Sequence, residues 1–214
     1  MEKLFFRSIS DVLGQAAKLR EIFEAGGKIL LSDISCFVVA VLPFSKNAVR
    51  ETFDLLQEFP VGNYNIAPYI MLLEELFLPR FVFVTEYEKV IFELLKNSGV
   101  NAVLLLKPTF QFPHFVLKNR KIGVKVPDAE IKNILRVLGG VALCFPAIKN
   151  GVPVSNPEWV DFADVVVQIK NFAPARLPTY VEVIENYVVK VISEGFLSKN
   201  EFQEKLSPLG FRIV

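Results

Sequence analysis

The sequence predicts an α/β domain, and three observations predict it. Helical and extended patterns alternate along the chain, as they do where helices cover a sheet. Extended stretches such as Cys36 to Leu42 are continuous apolar runs, the pattern of strands buried on both faces. Glycine pairs and capping boxes mark the joins. With 214 residues, 52% of them apolar and 20 of them Phe, one domain over 1–214 can bury about 70% of its unfolded surface without staples.

Taken in order, Ser10 is placed to cap a helix whose apolar face uses Val12, Leu13, Ala16, Leu19, Ile22 and Phe23, and Gly26-Gly27 ends it. Lys28 to Leu31 and Cys36 to Leu42 read as strands. Ser45 opens a helix through about Glu58, with Val49, Phe53 and Leu56 on one side. The spacing predicts a helix near Tyr69 to Phe77 and a strand at Arg80 to Val84. Thr85-Glu86-Tyr87-Glu88 is a capping box for a helix to about Asn97. Strands are expected at Ala102 to Leu106, His114 to Leu117 and Ile122 to Val126. Asp128 caps a helix through Leu138, closed by Gly139-Gly140 before a strand at Val141 to Phe145. Asn156-Pro157 starts a short helix bearing Trp159, with Pro where its missing donor is harmless. Strands at Val165 to Ile169, Tyr180 to Ile184 and Val188 to Ile192 follow. A capping box at Ser198-Lys199-Asn200-Glu201 opens a last helix, and Phe211 to Val214 closes as an edge strand.

Composition excludes several classes. The longest apolar run, Cys36 to Phe44, has nine residues, against about 20 needed to span a bilayer, so no membrane association is expected. The N-terminus lacks the apolar core of a signal peptide, and the expected location is the cytoplasm. Cys36 and Cys144 are flanked by apolar residues and read as small buried hydrophobes. With no Cys-x-x-Cys pair and His114 the lone histidine, no metal site is expected. His114 sits between Pro113 and Phe115 and reads as a packing residue. Net charge is +1, so only local clusters could attract nucleic acid. Gly26-Gly27-Lys28 lacks the rest of a phosphate-binding P-loop, and no dinucleotide-binding, zinc-protease or serine-hydrolase motif occurs. No catalytic residue is assigned.

The order of landmarks goes further. Gly26-Gly27 before a strand, and later Gly123-Val124-Lys125-Val126-Pro127, resemble the Gly-Gly turn and "GVRVP" strand of the YrdC family. Gly139-Gly140 through Pro146-Ala147-Ile148-Lys149-Asn150-Gly151-Val152-Pro153 resembles its "GGP…SANxSGxP" block. Leu177-Pro178-Thr179-Tyr180-Val181-Glu182 resembles "PSTVVD", and Ile192-Ser193-Glu194-Gly195-Phe196-Leu197-Ser198 resembles "LRxGAIS". The resemblance is good from about 121 to 206 and weaker before. It implies a twisted open mixed sheet flanked by helices, with a wide basic groove. Members make threonylcarbamoyl-adenylate from threonine, bicarbonate and ATP with magnesium for tRNA modification, and some relatives are described only as binding double-stranded RNA or nucleotides.

Departures fall where ligands would sit. The family's "PTDTVYG" is matched by Ser32-Asp33-Ile34-Ser35-Cys36-Phe37-Val38, which keeps one hydroxyl at Ser35 and puts a carboxylate at Asp33. Leu56 and Glu58 replace a phosphate-gripping Lys-x-Arg, Ser98 to Ala102 replaces "PGPLT", Pro146 and Ile148 replace the Ser and Asn of "SAN", and Ser193 replaces an Arg. Charge-assisted hydrogen bonds to phosphate contribute roughly 1.5–3 kcal/mol each, and a micromolar ligand has about 8 kcal/mol in total. Losing two cations and several donors would exceed that. ATP and magnesium are therefore expected only if synthase activity survives.

Ser35, Asn150, Thr179 and Lys125 remain as candidate groove residues, with Lys125 alternating outward from Val124 and Val126. Lys107, Lys118, Arg120, Lys121 and Lys125 are interleaved with Phe110, Phe112, His114 and Phe115. Lys118, Arg120 and Lys121 are candidate nucleic-acid contacts, because cations hold phosphates and aromatic faces stack bases. The same stretch also reads as a hairpin with a solvated basic turn. The expected function is binding of tRNA, double-stranded RNA or a nucleotide without synthase activity. The alternatives are a divergent threonylcarbamoyl-adenylate synthase, or a non-catalytic partner subunit.

Overall fold

Alternate side chains of each central strand meet an apolar layer on both sides, and this organises the molecule. The computed structural model describes residues 3–33, 36–57, 67–97, 102–117, 119–170 and 175–214. In chain order its elements are β1 (Leu4–Phe6), α1 (Ile9–Gly14), α2 (Ala16–Glu24), β2 (Ile29–Ser32), β3 (Phe37–Val41), α3 (Lys46–Gln57), β4 (Tyr69–Leu72), α4 (Leu78–Phe81), β5 (Val82–Phe83) and α5 (Glu86–Asn97). They continue with β6 (Ala102–Pro108), β7 (Ile122–Lys125), α6 (Ala129–Val137), β8 (Val141–Pro146), β9 (Ile148–Lys149), β10 (Val152–Pro153), β11 (Val165–Val167), β12 (Thr179–Glu185), β13 (Val188–Ser193), α7 (Lys199–Leu206) and β14 (Arg212–Ile213).

The main sheet runs β1-β11-β2-β3-β8-β4-β7-β6-β12-β13-β14, with β5 added on β6, and β9 and β10 form a separate small hairpin. It is mixed. β1, β11 and β2 are parallel neighbours, as are β4 and β7, β6 and β12, and β13 and β14. The pairs β2–β3, β3–β8, β8–β4, β7–β6 and β12–β13 are antiparallel. The mixed sheet with helices on both faces is the architecture the sequence predicts.

Leu30, Val39, Leu104, Val124 and Phe145 enter one layer, closed by Val49 of α3, Ile91, Phe92 and Leu95 of α5, and Phe202 and Leu206 of α7. Ile29, Leu31, Val38, Leu105 and Cys144 enter the other, closed by Val12, Leu19 and Phe23 of α1 and α2 and by Ile131, Ile134 and Leu135 of α6. Each such aliphatic or aromatic side chain contributes about 1.5–3 kcal/mol by leaving water. Gly123 sits at the crossing of the central strands. A Cβ there would lie 2.5 Å from Val103 Cγ1 and 2.7 Å from Tyr69 Cβ, so only glycine lets β7 lie beside the Tyr69 side chain.

Local signals hold. Thr85 N donates to Glu88 Oε2 (2.7 Å) and Glu88 N to Thr85 Oγ1 (3.3 Å) at the start of α5. Ser198 and Glu201 form the reciprocal capping box of α7. Asp128 accepts from Glu130 N and Ile131 N at α6.

Four expectations are corrected. The first helix is capped by Ser8, not Ser10, and breaks at Gln15 into α1 and α2. Tyr69 to Leu72 is a strand, because β8 and β7 offer it two apolar neighbours, and a short apolar run takes whichever form its partners complete. Residues 78–81 are helical, leaving only Val82–Phe83 of the expected strand. His114–Val116 is a 3-10 turn opened by Pro113, not a strand, and His114 is exposed. Strands β1, β9 and β10 were not anticipated.

Candidate functional site

The end of β2 carries the first polar group of the site. Ser32 Oγ accepts from the backbone N–H of Ile169 (2.8 Å) and Lys170 (3.0 Å), fixing the segment beyond β11 across the end of β2. The next residue, Asp33, donates its N–H to Cys36 O (3.0 Å). Asp33 Oδ2 accepts from the Tyr69 hydroxyl of β4 (3.0 Å) and from the Lys125 ammonium of β7. The ammonium also lies 5.9 Å from the centre of the Tyr69 ring. Asp33 and Lys125 are 1% and 3% exposed, so this is an ion pair withdrawn from water. It survives there because the carboxylate has both its counter-ion and the Tyr69 hydrogen bond.

The surroundings are tuned by the same burial. Burial pushes the Tyr69 phenol well above its ordinary range, and the Asp33 charge adds to the rise; the phenol is therefore a hydrogen-bond donor and not an acid. Burial also raises Tyr180, whose hydroxyl donates to Ala67 O (2.6 Å) and whose ring centre is 6.5 Å from that of Tyr69. The Cys144 thiol is pushed up by burial and by Asp33, with Lys125 opposing. Such a thiol is a packing group and not a nucleophile.

A second ion pair lies alongside. Lys170 Nζ bonds Asp128 Oδ2 and sits 3.6 Å from Glu130 Oε2. Burial raises the Asp128 carboxyl. The Lys170 hydrogen bond, the Ile131 N–H and the charges of Lys170 and Lys125 outweigh that and hold it below the ordinary aspartate value. Asp33 and Lys125 sum to zero charge, and Lys170 with Asp128 and Glu130 to −1.

The expected groove residues separate. Ser35 lies outside the described residues, as do Lys118, Glu58 and residues 98–101. Asn150 is exposed at φ 53° in the turn between β9 and β10. Thr179 is fully buried; its Oγ1 donates to Leu197 O (2.6 Å) and accepts from Leu197 N (2.9 Å) and Gly195 N (3.2 Å), pinning the turn after β13. Lys125 does leave the Val124 side of the sheet, but the side it reaches is covered by the second apolar layer, so it is buried. Of the departures, Ala102 pairs with Thr179, Ser193 with Tyr180, and Pro146 with Val38. Tyr69 and Lys170 carry the ionic cluster, and the sequence reading missed both. An Asp at 33 opposite a Lys at 125 was the one available signal.

The basic segment is partly neutralised. Lys121 Nζ pairs with Glu182 Oε1 at 2.9 Å. Arg120 is exposed at φ 62°, after Asn119 at φ 50°, and Lys107 Nζ is 6.0 Å from the Phe83 ring centre. Phe44 and Phe110 are 55% and 45% exposed and meet edge-to-face at 5.8 Å. With Lys46, Val49, Gln111 and Phe112 they line a cavity of about 350 Å³. Phe115 stacks on Phe53 at 4.2 Å. A larger apolar cavity of about 520 Å³ has Leu78, Val82, Phe83, Phe92 and Thr109 in its wall.

These features define an open mixed α/β domain whose central strands converge on a buried Asp33–Lys125 ion pair. No protein-family model and no curated protein matches the sequence. Solved structures match in shape, and they show the fold to be YrdC/Sua5-like. E. coli YciO is 22% identical with a TM-score of 0.73 over 94% of this chain and 100% of that one. Sua5 of P. abyssi, complexed with L-threonine, is 13% identical with a TM-score of 0.74 over 100% of this chain and 63% of that one. Full-length HypF, in a phosphate- and nucleotide-bound form, is 16% identical with a TM-score of 0.66 over 84% of this chain and 24% of that one. This chain therefore spans less than two thirds of the Sua5 and HypF structures.

Proposed function

We propose that this chain, acting as one domain over residues 1–214, is a cytoplasmic YrdC-like protein that binds RNA and carries out no adenylate synthesis. The observation that carries the reading is the Asp33–Lys125 pair. The cation on the "GVRVP"-like strand is matched by an internal carboxylate, and Lys170 is matched by Asp128 and Glu130. These residues do not fit a nucleotide triphosphate with magnesium, since both cations are already engaged, Lys125 by the buried Asp33 and Lys170 by Asp128 and Glu130. No step of synthase chemistry is derived from these residues.

Support for RNA comes from the outer surface. Phe44 and Phe110 present aromatic faces beside exposed Lys46, and Lys107 of β6 and Arg120 of the β6–β7 connection are exposed as well. Stacking contributes about 1–3 kcal/mol per base and tolerates any sequence. HypF, of similar fold, has been seen with phosphate and nucleotide. Filter binding of tRNA and duplex RNA across a salt series tests the reading. With three exposed cations, the slope of log K on log salt is expected near about −2 to −3. Phe110→Ala is expected to weaken binding roughly 5- to 100-fold. Absence of binding at low salt would remove the proposal.

A further inference from the structure

Two donors carried by the sheet reach Asp33. The Tyr69 hydroxyl of β4 and the Lys125 ammonium of β7 both aim at Oδ2. Neither side chain has room to turn to solvent, since Tyr69 is fully buried and Lys125 is 3% exposed. Without the aspartate, a phenol O–H and an ammonium would converge on one point in a dry pocket, which is the donor set that binds a carboxylate. We propose that Lys125 and Tyr69 form a carboxylate-binding seat that the chain fills with its own Asp33. This goes beyond RNA binding and does not depend on it.

The tether explains why the seat is closed in the natural chain. A side chain held in place competes at an effective concentration that free ligands do not reach. The space also selects the ligand class. A planar carboxylate fits where a planar carboxylate has left, whereas tetrahedral phosphate is larger and carries more charge. Asp33→Gly removes the whole side chain, which has as many heavy atoms as acetate. Asp33→Ala removes the carboxylate alone, which has as many as formate.

The test is therefore a size-matched rescue. Asp33→Gly is expected to melt below the natural chain and to be raised saturably by acetate, by about 3–6 °C at about ten times the half-saturating concentration. Asp33→Ala is expected to respond to formate and less to acetate. Chloride at equal ionic strength, the natural chain in either salt, and Asp33→Gly with Lys125→Met are expected to show no such rise. Should a single variant fail to fold, its refolding yield in acetate or formate against chloride replaces the melting curve. A higher yield in the matched carboxylate supports the seat, and equal yields refute it. A response that ignores ligand size, or that persists without Lys125, also overturns the proposal.

Discussion

Replacing Lys125 by Met removes one ammonium and keeps most of the apolar stem. The magnitude follows from the geometry. Lys125 and Asp33 are 3% and 1% exposed, so neither charge can recover its interaction with water when the other is lost. Breaking a buried pair in this way costs about 3–5 kcal/mol. For a domain of this size each kcal/mol shifts the melting temperature by about 2–4 °C, so a fall of about 6–20 °C is expected. Urea unfolding followed by circular dichroism gives the free energy directly. The double variant Lys125→Met with Asp33→Asn leaves no unpaired charge, and the introduced amide carbonyl can still accept from the Tyr69 hydroxyl. It is expected to recover most of the loss, with a coupling of at least about 1.5 kcal/mol. If the single variant stays within about 1 kcal/mol of the natural chain, the pair is not withdrawn from water and the reasoning fails.

Three further outcomes follow from the same packing. Thr179→Val takes from the buried Leu197 N–H its side-chain acceptor and from the Leu197 carbonyl its hydroxyl donor and is expected to cost about 1–3 kcal/mol in urea unfolding; a loss under about 0.5 kcal/mol would show that the turn rearranges freely. Gly195→Ala would set a Cβ 2.2 Å from Leu177 O and 2.7 Å from Pro178 O, both main-chain atoms, so a loss of about 1–3 kcal/mol or more is expected, and a neutral result would contradict the close approach. Asp128 has its folded value held below the ordinary one, so its contribution is complete above about pH 4 and is lost as pH falls through the folded value. The stability gap between the natural chain and Asp128→Asn should therefore be constant near neutrality and close in acid; a gap that widens in acid would reverse the assignment.

Local chemistry was legible in the sequence, and long-range pairing was not. The capping boxes at Thr85 and Ser198 and the cap at Asp128 are decided by residues within one helical turn, so they could be read directly. Tyr69 to Leu72 could not be read in this way. Its run of apolar residues satisfies a helix as well as a strand, and the choice is made by β7 and β8, which lie far along the chain. Period-two alternation put Lys125 on the face opposite Val124, which is where it lies. What alternation could not show is that α6 and the Cys144 layer cover that face. The Asp33–Lys125 contact spans 92 residues, and no local pattern announces it. Lys170, brought to Asp128 from 42 residues away, was invisible for the same reason. His114 departs from the packing role because Pro113 starts a turn that lifts it outward.

The central claim is that Lys125 and Lys170 are already neutralised by this chain's own carboxylates. Pyrophosphate release from ATP, measured with threonine, bicarbonate and magnesium and repeated without threonine, tests it most directly. The account predicts no threonine-dependent release from the natural chain. Threonine-dependent turnover would contradict it and establish a working synthase on this fold.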